Sequence, residues 1–115
     1  MSSLPLVLNG ARCSFVVIGG GEVATRKVKT LVRSGASVRV IAPVVSEEIQ
    51  ALADAKSIAL ELNAAGDEAY QASDYVVLAT DSKQVNQAQA DLARKAGSSV
   101  CRTDEPEDND FSFPA

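Results

Sequence analysis

The chain has 115 residues, 46% of them hydrophobic, which is enough for one compact core and too little for two. A formal net charge of −4 argues against a phosphate-neutralising surface, so no nucleic-acid partner is expected. Histidine is absent and Cys13 and Cys101 form no CxxC pair, so the usual zinc ligand sets cannot be assembled; both thiols are expected in the core of a protein in a reducing cytoplasm.

Near the N-terminus the only apolar run is Leu4 to Leu8, with no charged region before it. It reads as neither a signal peptide nor a membrane span, and a cytoplasmic location with no membrane partner is expected. Ser14 to Ile18 is a mostly apolar run, as in a strand buried on both faces of a parallel sheet. Glu22 to Ser34 follows as a helix with Ala24, Val28, Leu31 and Val32 inward, and Ser37 to Ala42 is the second strand. Ser46 can cap a short helix that carries Glu47 and Glu48 in its first turn and turns Ile49, Leu52 and Ala53 inward. Ile58, Leu60 and Leu62 alternate with polar or small residues, the pattern of a strand at a sheet edge. A short helix is expected around Asp67 to Ala72, then a strand over Tyr75 to Ala79. A helix over Gln84 to Ala96 is read with Val85, Ala88, Leu92 and Ala96 inward, and Ser99 to Thr103 is the fifth strand.

This alternation predicts an α/β fold: a Rossmann-like, doubly wound parallel sheet in a single domain over residues 1–115. The first strand-to-helix turn carries Gly19-x-Gly21-x-x-Ala24, the dinucleotide fingerprint in its G-x-G-x-x-A form. Gly19 serves the tight turn, Gly21 lets backbone approach a pyrophosphate, and Ala24 lets helix and strand pack closely. A glycine-rich turn of purely structural origin is the competing reading. NAD-binding folds often place an acid about 20 residues past the glycines to accept from ribose hydroxyls. Here the second strand ends in Ile41-Ala42-Pro43-Val44, with neither an acid nor an arginine. NAD is therefore only weakly favoured over NADP, adenosine falls to the backbone and apolar surface of Pro43 and Val44, and Glu22 would repel a phosphate that came close.

Taken together, Leu4-Pro5-Leu6, Gly19-Gly20-Gly21-Glu22-Val23-Ala24 with Arg26-Lys27, Ala42-Pro43, Ala79-Thr80-Asp81, Asn86, Asp104-Glu105-Pro106 and Phe111-Ser112-Phe113-Pro114-Ala115 carry a resemblance over nearly the whole chain. The sequence resembles the N-terminal domain of siroheme synthase, the precorrin-2 dehydrogenase and sirohydrochlorin ferrochelatase family. The resemblance implies an NAD-dependent oxidation of precorrin-2 to sirohydrochlorin, a tetrapyrrole substrate, ferrochelatase activity in a complete protein, and a homodimeric full-length form. It implies a cofactor site at Gly19, Gly20, Gly21, Glu22, Val23, Ala24, Pro43, Val44, Thr80 and Asp81, and a catalytic role for Asp104.

A carboxylate just beyond the carboxyl end of a strand faces the ligand crevice of this fold, which suits proton removal at Asp104. Equally, Asp104 sits in an acidic run with Glu105, Glu107, Asp108 and Asp110, which reads as a solvated face. The sequence departs from the family pattern at Cys101, where Asn is usual, and at Arg102-Thr103, which replaces an apolar pair. Arg102, Arg26 and Lys27 are candidates for the carboxylates of the substrate. Family members continue past the Pro-Ala with dimerising and helical regions, so the chain is expected to be either a piece of such a protein or a stand-alone relative. A nucleotide-binding regulatory or partner-dependent domain without chemistry of its own is the alternative function.

Overall fold

The computed structural model describes residues 3–72 and 74–114, so Ala115, the end of the Phe-Pro-Ala motif, lies outside the described residues. Five strands, β1 (Ser14–Ile18), β2 (Ser37–Ile41), β3 (Ala59–Glu61), β4 (Tyr75–Leu78) and β5 (Ser99–Arg102), alternate with helices α1 (Glu22–Arg33), α2 (Glu47–Asp54) and α3 (Lys83–Lys95). The sheet order is β3-β2-β1-β4-β5 and every pairing is parallel. The chain therefore winds outward from β1 to β3, returns, and winds outward again on the other side of β1. In register, Ile18 lies beside Ile41 and Leu78, and Leu78 beside Arg102. The carboxyl ends of four strands are thus level, and a crevice opens where the winding direction reverses.

The apolar runs follow from burial on both faces. Phe15 and Val17 of β1 join Val38, Val40 and Val77 under α1 and α2, while Val16 and Ile18 join Val76, Leu78 and Val100 under α3. Ser46 caps α2 as its sequence position requires, accepting from the Ile49 N–H at 3.2 Å. β3 is an edge strand, and Leu62 beyond it is exposed rather than turned inward. Of the two cysteines, Cys101 is buried and Cys13 partly so, both as free thiols. Among the described residues no helix is long and apolar enough to cross a membrane.

Two expectations require correction. Residues 67–72 do not form a helix. The Ala69 carbonyl accepts from Arg39, the Gln71 carbonyl from Ser98 Oγ, and the Gln71 N–H donates to Asp74, so backbone groups that a helix would pair internally are held by other parts of the chain. On α3 the inward face is Asn86, Ala90 and Ala93, whereas Val85, Ala88 and Ala96 are exposed and Leu92 is only partly buried. A polar residue takes the buried position because Thr80 satisfies it: Thr80 Oγ1 donates to Asn86 Oδ1 at 2.6 Å, and Asn86 Nδ2 donates to the Thr80 carbonyl at 3.1 Å.

The acidic run is largely exposed, as the competing reading of a solvated face has it, but it is also ion-paired. Glu105 pairs with Lys83, Asp108 with Arg94 and Arg102, and Asp110 with Arg94. The same segment closes the free edge of β5. The Arg102 N–H donates to Asn109 Oδ1 at 2.6 Å, Asn109 Nδ2 donates to the Arg102 carbonyl at 3.2 Å, and Val100 N–H donates to Asp110 Oδ2 at 2.8 Å. Side chains thereby stand in for the strand that is missing beyond β5. Asn109→Ala leaves the Arg102 backbone groups unpaired and should cost about 1–3 kcal/mol in denaturant unfolding. Glu107, which makes no ion pair among the described residues, should change stability by less than about 0.5 kcal/mol when replaced by Ala.

Candidate functional site

At the end of β1 the chain must turn within a crowded corner. Gly19 has φ +129°, and a Cβ there would lie 2.6 Å from the Ala79 carbonyl oxygen. A Cβ on Gly20 would lie 2.1 Å from the Val44 carbonyl oxygen. Both positions are glycine because the protein's own backbone occupies the space, and the Ser46 N–H donates to the Gly20 carbonyl across that contact at 2.8 Å. Gly21 differs. A Cβ there would meet nothing within 4 Å, and its φ of −88° is open to any residue. No steric clash or positive φ requires the third glycine; the N-cap preference for glycine and a ligand lying against the backbone both fit it.

Gly21 is also the N-cap of α1, and no side chain caps that end. The first-turn N–H groups of a helix lack intrahelical partners and favour an anion. Thr25 braces the turn, its Oγ1 donating to the Gly21 carbonyl at 2.7 Å and lying 2.7 Å from Ser46 Oγ.

Two hollows flank the turn. The larger, about 570 Å³, lies outside α1 and α2 and includes Gly20, Gly21, Glu22, Arg26, Lys29 and Val44. Its charges are mixed, and Lys29 is paired with Glu48. The smaller, about 320 Å³, gathers the strand ends: Ile18 and Gly19 after β1, Ala42 and Pro43 after β2, Thr80 and Asp81 after β4. Although smaller, it is the better candidate for the adenosine side of a dinucleotide, because it lies at the level carboxyl ends where the winding reverses.

Of the expected cofactor residues, Gly19, Gly20, Gly21, Glu22, Pro43, Val44, Thr80 and Asp81 therefore line one hollow or the other. Val23 and Ala24 do not: Val23 packs against the core and Ala24 is fully buried, so they offer backbone only. That burial is what the close helix-to-strand contact at Ala24 requires. Gln89 was not singled out by sequence, yet it lines the smaller hollow and accepts from Tyr70 O–H at 2.6 Å. Only its spacing with Asn86 and Ala93 on one helix face could have pointed to it.

Asp104 lines neither hollow. It follows β5 and meets the Arg102 guanidinium in a two-pronged contact, Nε to Oδ1 and Nη2 to Oδ2, each 3.2 Å. Arg102 is only 2% exposed and its Nη1 donates to Gln87 Oε1 at 2.6 Å. It is therefore not available to substrate carboxylates, contrary to the expectation from sequence. Lys27 lies over the Phe113 ring, and Arg26 faces the larger hollow. Burial acts to raise the Asp104 carboxyl, but the Arg102 hydrogen bonds, the nearby Asn86 amide and the Arg102 charge outweigh it and hold the group below the usual carboxylate range. Burial pushes the neighbouring Cys101 thiol up, which keeps it protonated.

Residues 6–115 match a family model described as "Putative NAD(P)-binding". The chain is similar to siroheme synthase of Nitrosococcus oceani, 37% identical over 117 residues, covering 100% of this chain and 25% of that protein. It is also similar to precorrin-2 dehydrogenase of Bacillus subtilis, 32% identical over 90 residues, covering 78% of this chain and 56% of that protein. A solved structure titled "SirC, precorrin-2 dehydrogenase" superposes with a TM-score of 0.85 at 26% identity, covering 98% of this chain and 55% of that one. The chain thus spans a quarter of the first relative and just over half of the other two.

Because the folded-state value of Asp104 is depressed, its ionised form stabilises the fold above the unfolded value, and that contribution is lost as pH falls through the folded one. Asp104→Asn should therefore be less stable than the parent at pH 7, and the gap should close below about pH 4. Thermal unfolding of the two proteins across pH 2–7 measures this.

Proposed function

The chain belongs to the NAD(P)-binding family whose model spans residues 6–115, and from that premise we propose that it is the NAD-binding domain of a precorrin-2 dehydrogenase of siroheme biosynthesis. The observation that carries the cofactor assignment is Gly21: an uncapped helix start, at the switch point of the sheet, whose missing side chain faces open space. The similarity to siroheme synthase and precorrin-2 dehydrogenase supports the tetrapyrrole substrate, and a homodimeric full-length form is part of the same reading.

When bound, NAD supplies the hydride acceptor. Precorrin-2 loses that hydride and a proton as it becomes sirohydrochlorin, so two electrons leave with the hydride. The residues of this chain would do three things. The backbone at Gly21 and the first turn of α1 would hold the pyrophosphate, Pro43 and Val44 would flank adenosine, and Asp104 would take the proton. Glu22 is exposed, so its carboxylate can point into water while the adjacent amides face the anion.

NAD is preferred over NADP only modestly in this reading, because no acid follows β2 to repel a 2′-phosphate. One observation favours the alternative of cofactor binding without chemistry: Asp104 lines neither hollow and is held by Arg102, which weakens it as a base. Turnover by the full-length protein separates the two readings. Asp104→Asn should lower precorrin-2-dependent NAD reduction by ~10²–10⁴ with NAD affinity unchanged, and full turnover in that variant would remove Asp104 from the reaction.

Gly21→Val should fold with a thermal midpoint close to that of the parent and lose NAD binding by calorimetry; unchanged affinity would refute the site. Ala42→Asp should widen the preference for NAD, and a parent that already excludes NADP as firmly as that variant would contradict the account of adenosine binding.

A further inference from the structure

Among the described residues Arg102 is the largest fully buried side chain, on a strand otherwise made of Ser, Val and Cys. A charge in that position needs partners, and its partners come from three parts of the chain. Nε and Nη2 grip the two oxygens of Asp104, while Nη1 donates to Gln87 of α3 and to Asp108 in the turn that follows β5. β5 ends at Arg102, and the bend at Thr103 and Asp104 that follows it brings the Asp104 carboxylate back onto the guanidinium.

The planar fork fixes a carboxylate more tightly than a point charge does, because both oxygens are bound at once and rotation of the group breaks both contacts. The Asp104 side chain is nevertheless 26% exposed, so the carboxylate remains reachable from outside. We propose that Arg102 is the positioning residue for Asp104, setting the plane and direction in which that carboxylate is presented at the carboxyl end of β5. The inference rests on the reading of Asp104 as the proton acceptor of the proposed dehydrogenation.

Other groups also face Asp104. Lys83 and the Asn86 amide approach from α3, Glu105 is its chain neighbour, and Asp108 shares Arg102. Lys83 is engaged by Glu105 at 2.7 Å, which leaves Arg102 as the cation in direct contact with Asp104. Removing the fork should therefore free the carboxylate to rotate and let its titration midpoint rise toward that of an ordinary aspartate.

The test follows the Asp104 carboxyl carbon by NMR across pH, together with kcat and the acid limb of kcat/KM for the full-length protein. Arg102→Lys keeps the charge and loses the fork. It should raise the Asp104 midpoint and lower kcat by ~10–10²-fold, the cost of misplacing a catalytic group, with KM for NAD unchanged. Arg102→Leu should raise the midpoint further and carry the acid limb with it; if that variant does not fold, Arg102→Lys decides alone. Glu107→Gln should leave every readout at the parent value. Folded Arg102 variants whose midpoint, kcat and acid limb match the parent would overturn the inference. A midpoint that moves while Asp104→Asn keeps full turnover would instead show that Asp104 is not the proton acceptor, which removes the underlying reading and the inference with it.

Discussion

The turn after β1 is possible only because two of its residues carry no side chain. The Ala79 backbone lies where a Cβ of Gly19 would be, and the Val44 backbone lies where a Cβ of Gly20 would be. With those contacts in place, the segments after β2 and β4 close around the end of β1. Ser46 then reaches both the Gly20 carbonyl and Thr25, so the start of α2 is tied to the start of α1. What remains open is the approach to Gly21 and the first turn of α1. The arrangement that makes the corner dense leaves the space beside Gly21 open.

Much of this was legible in sequence, for a physical reason in each case. Strands buried on both faces, such as Ser14–Ile18 and Tyr75–Leu78, show up as unbroken apolar runs, and Ser46 followed by Glu47 and Glu48 marks a helix start. The triple glycine identified the turn. It could not say which glycine was structural and which was left bare, because that depends on atoms of Ala79 and Val44, which are distant in the chain.

What sequence missed are polar groups whose specific partners hydropathy does not show. Hydropathy placed Val85 and Leu92 of α3 inward, whereas Asn86 is fully buried because Thr80 accepts from and donates to it. The acidic run after β5 is exposed, and its members also neutralise Arg94, Lys83 and a buried Arg102 and close a sheet edge. A buried arginine on a strand has no one-dimensional signature beyond the acids that compensate it. The consequence for function is that Asp104 belongs to a fixed ion pair as well as to a strand end, and its chemistry cannot be read from its position alone.

The proposed dinucleotide site is this corner of the fold, at the exposed start of α1. The most direct measurement is a titration of the ¹⁵N-labelled chain with NAD, following every backbone amide. The account requires the largest changes at Gly21 through Ala24 and at Thr80 and Asp81, with Asn109 and Asp110 at the β5 edge unmoved. Changes confined to Arg26, Lys29 and Glu48 in the outer hollow, or no changes at millimolar NAD, would contradict it.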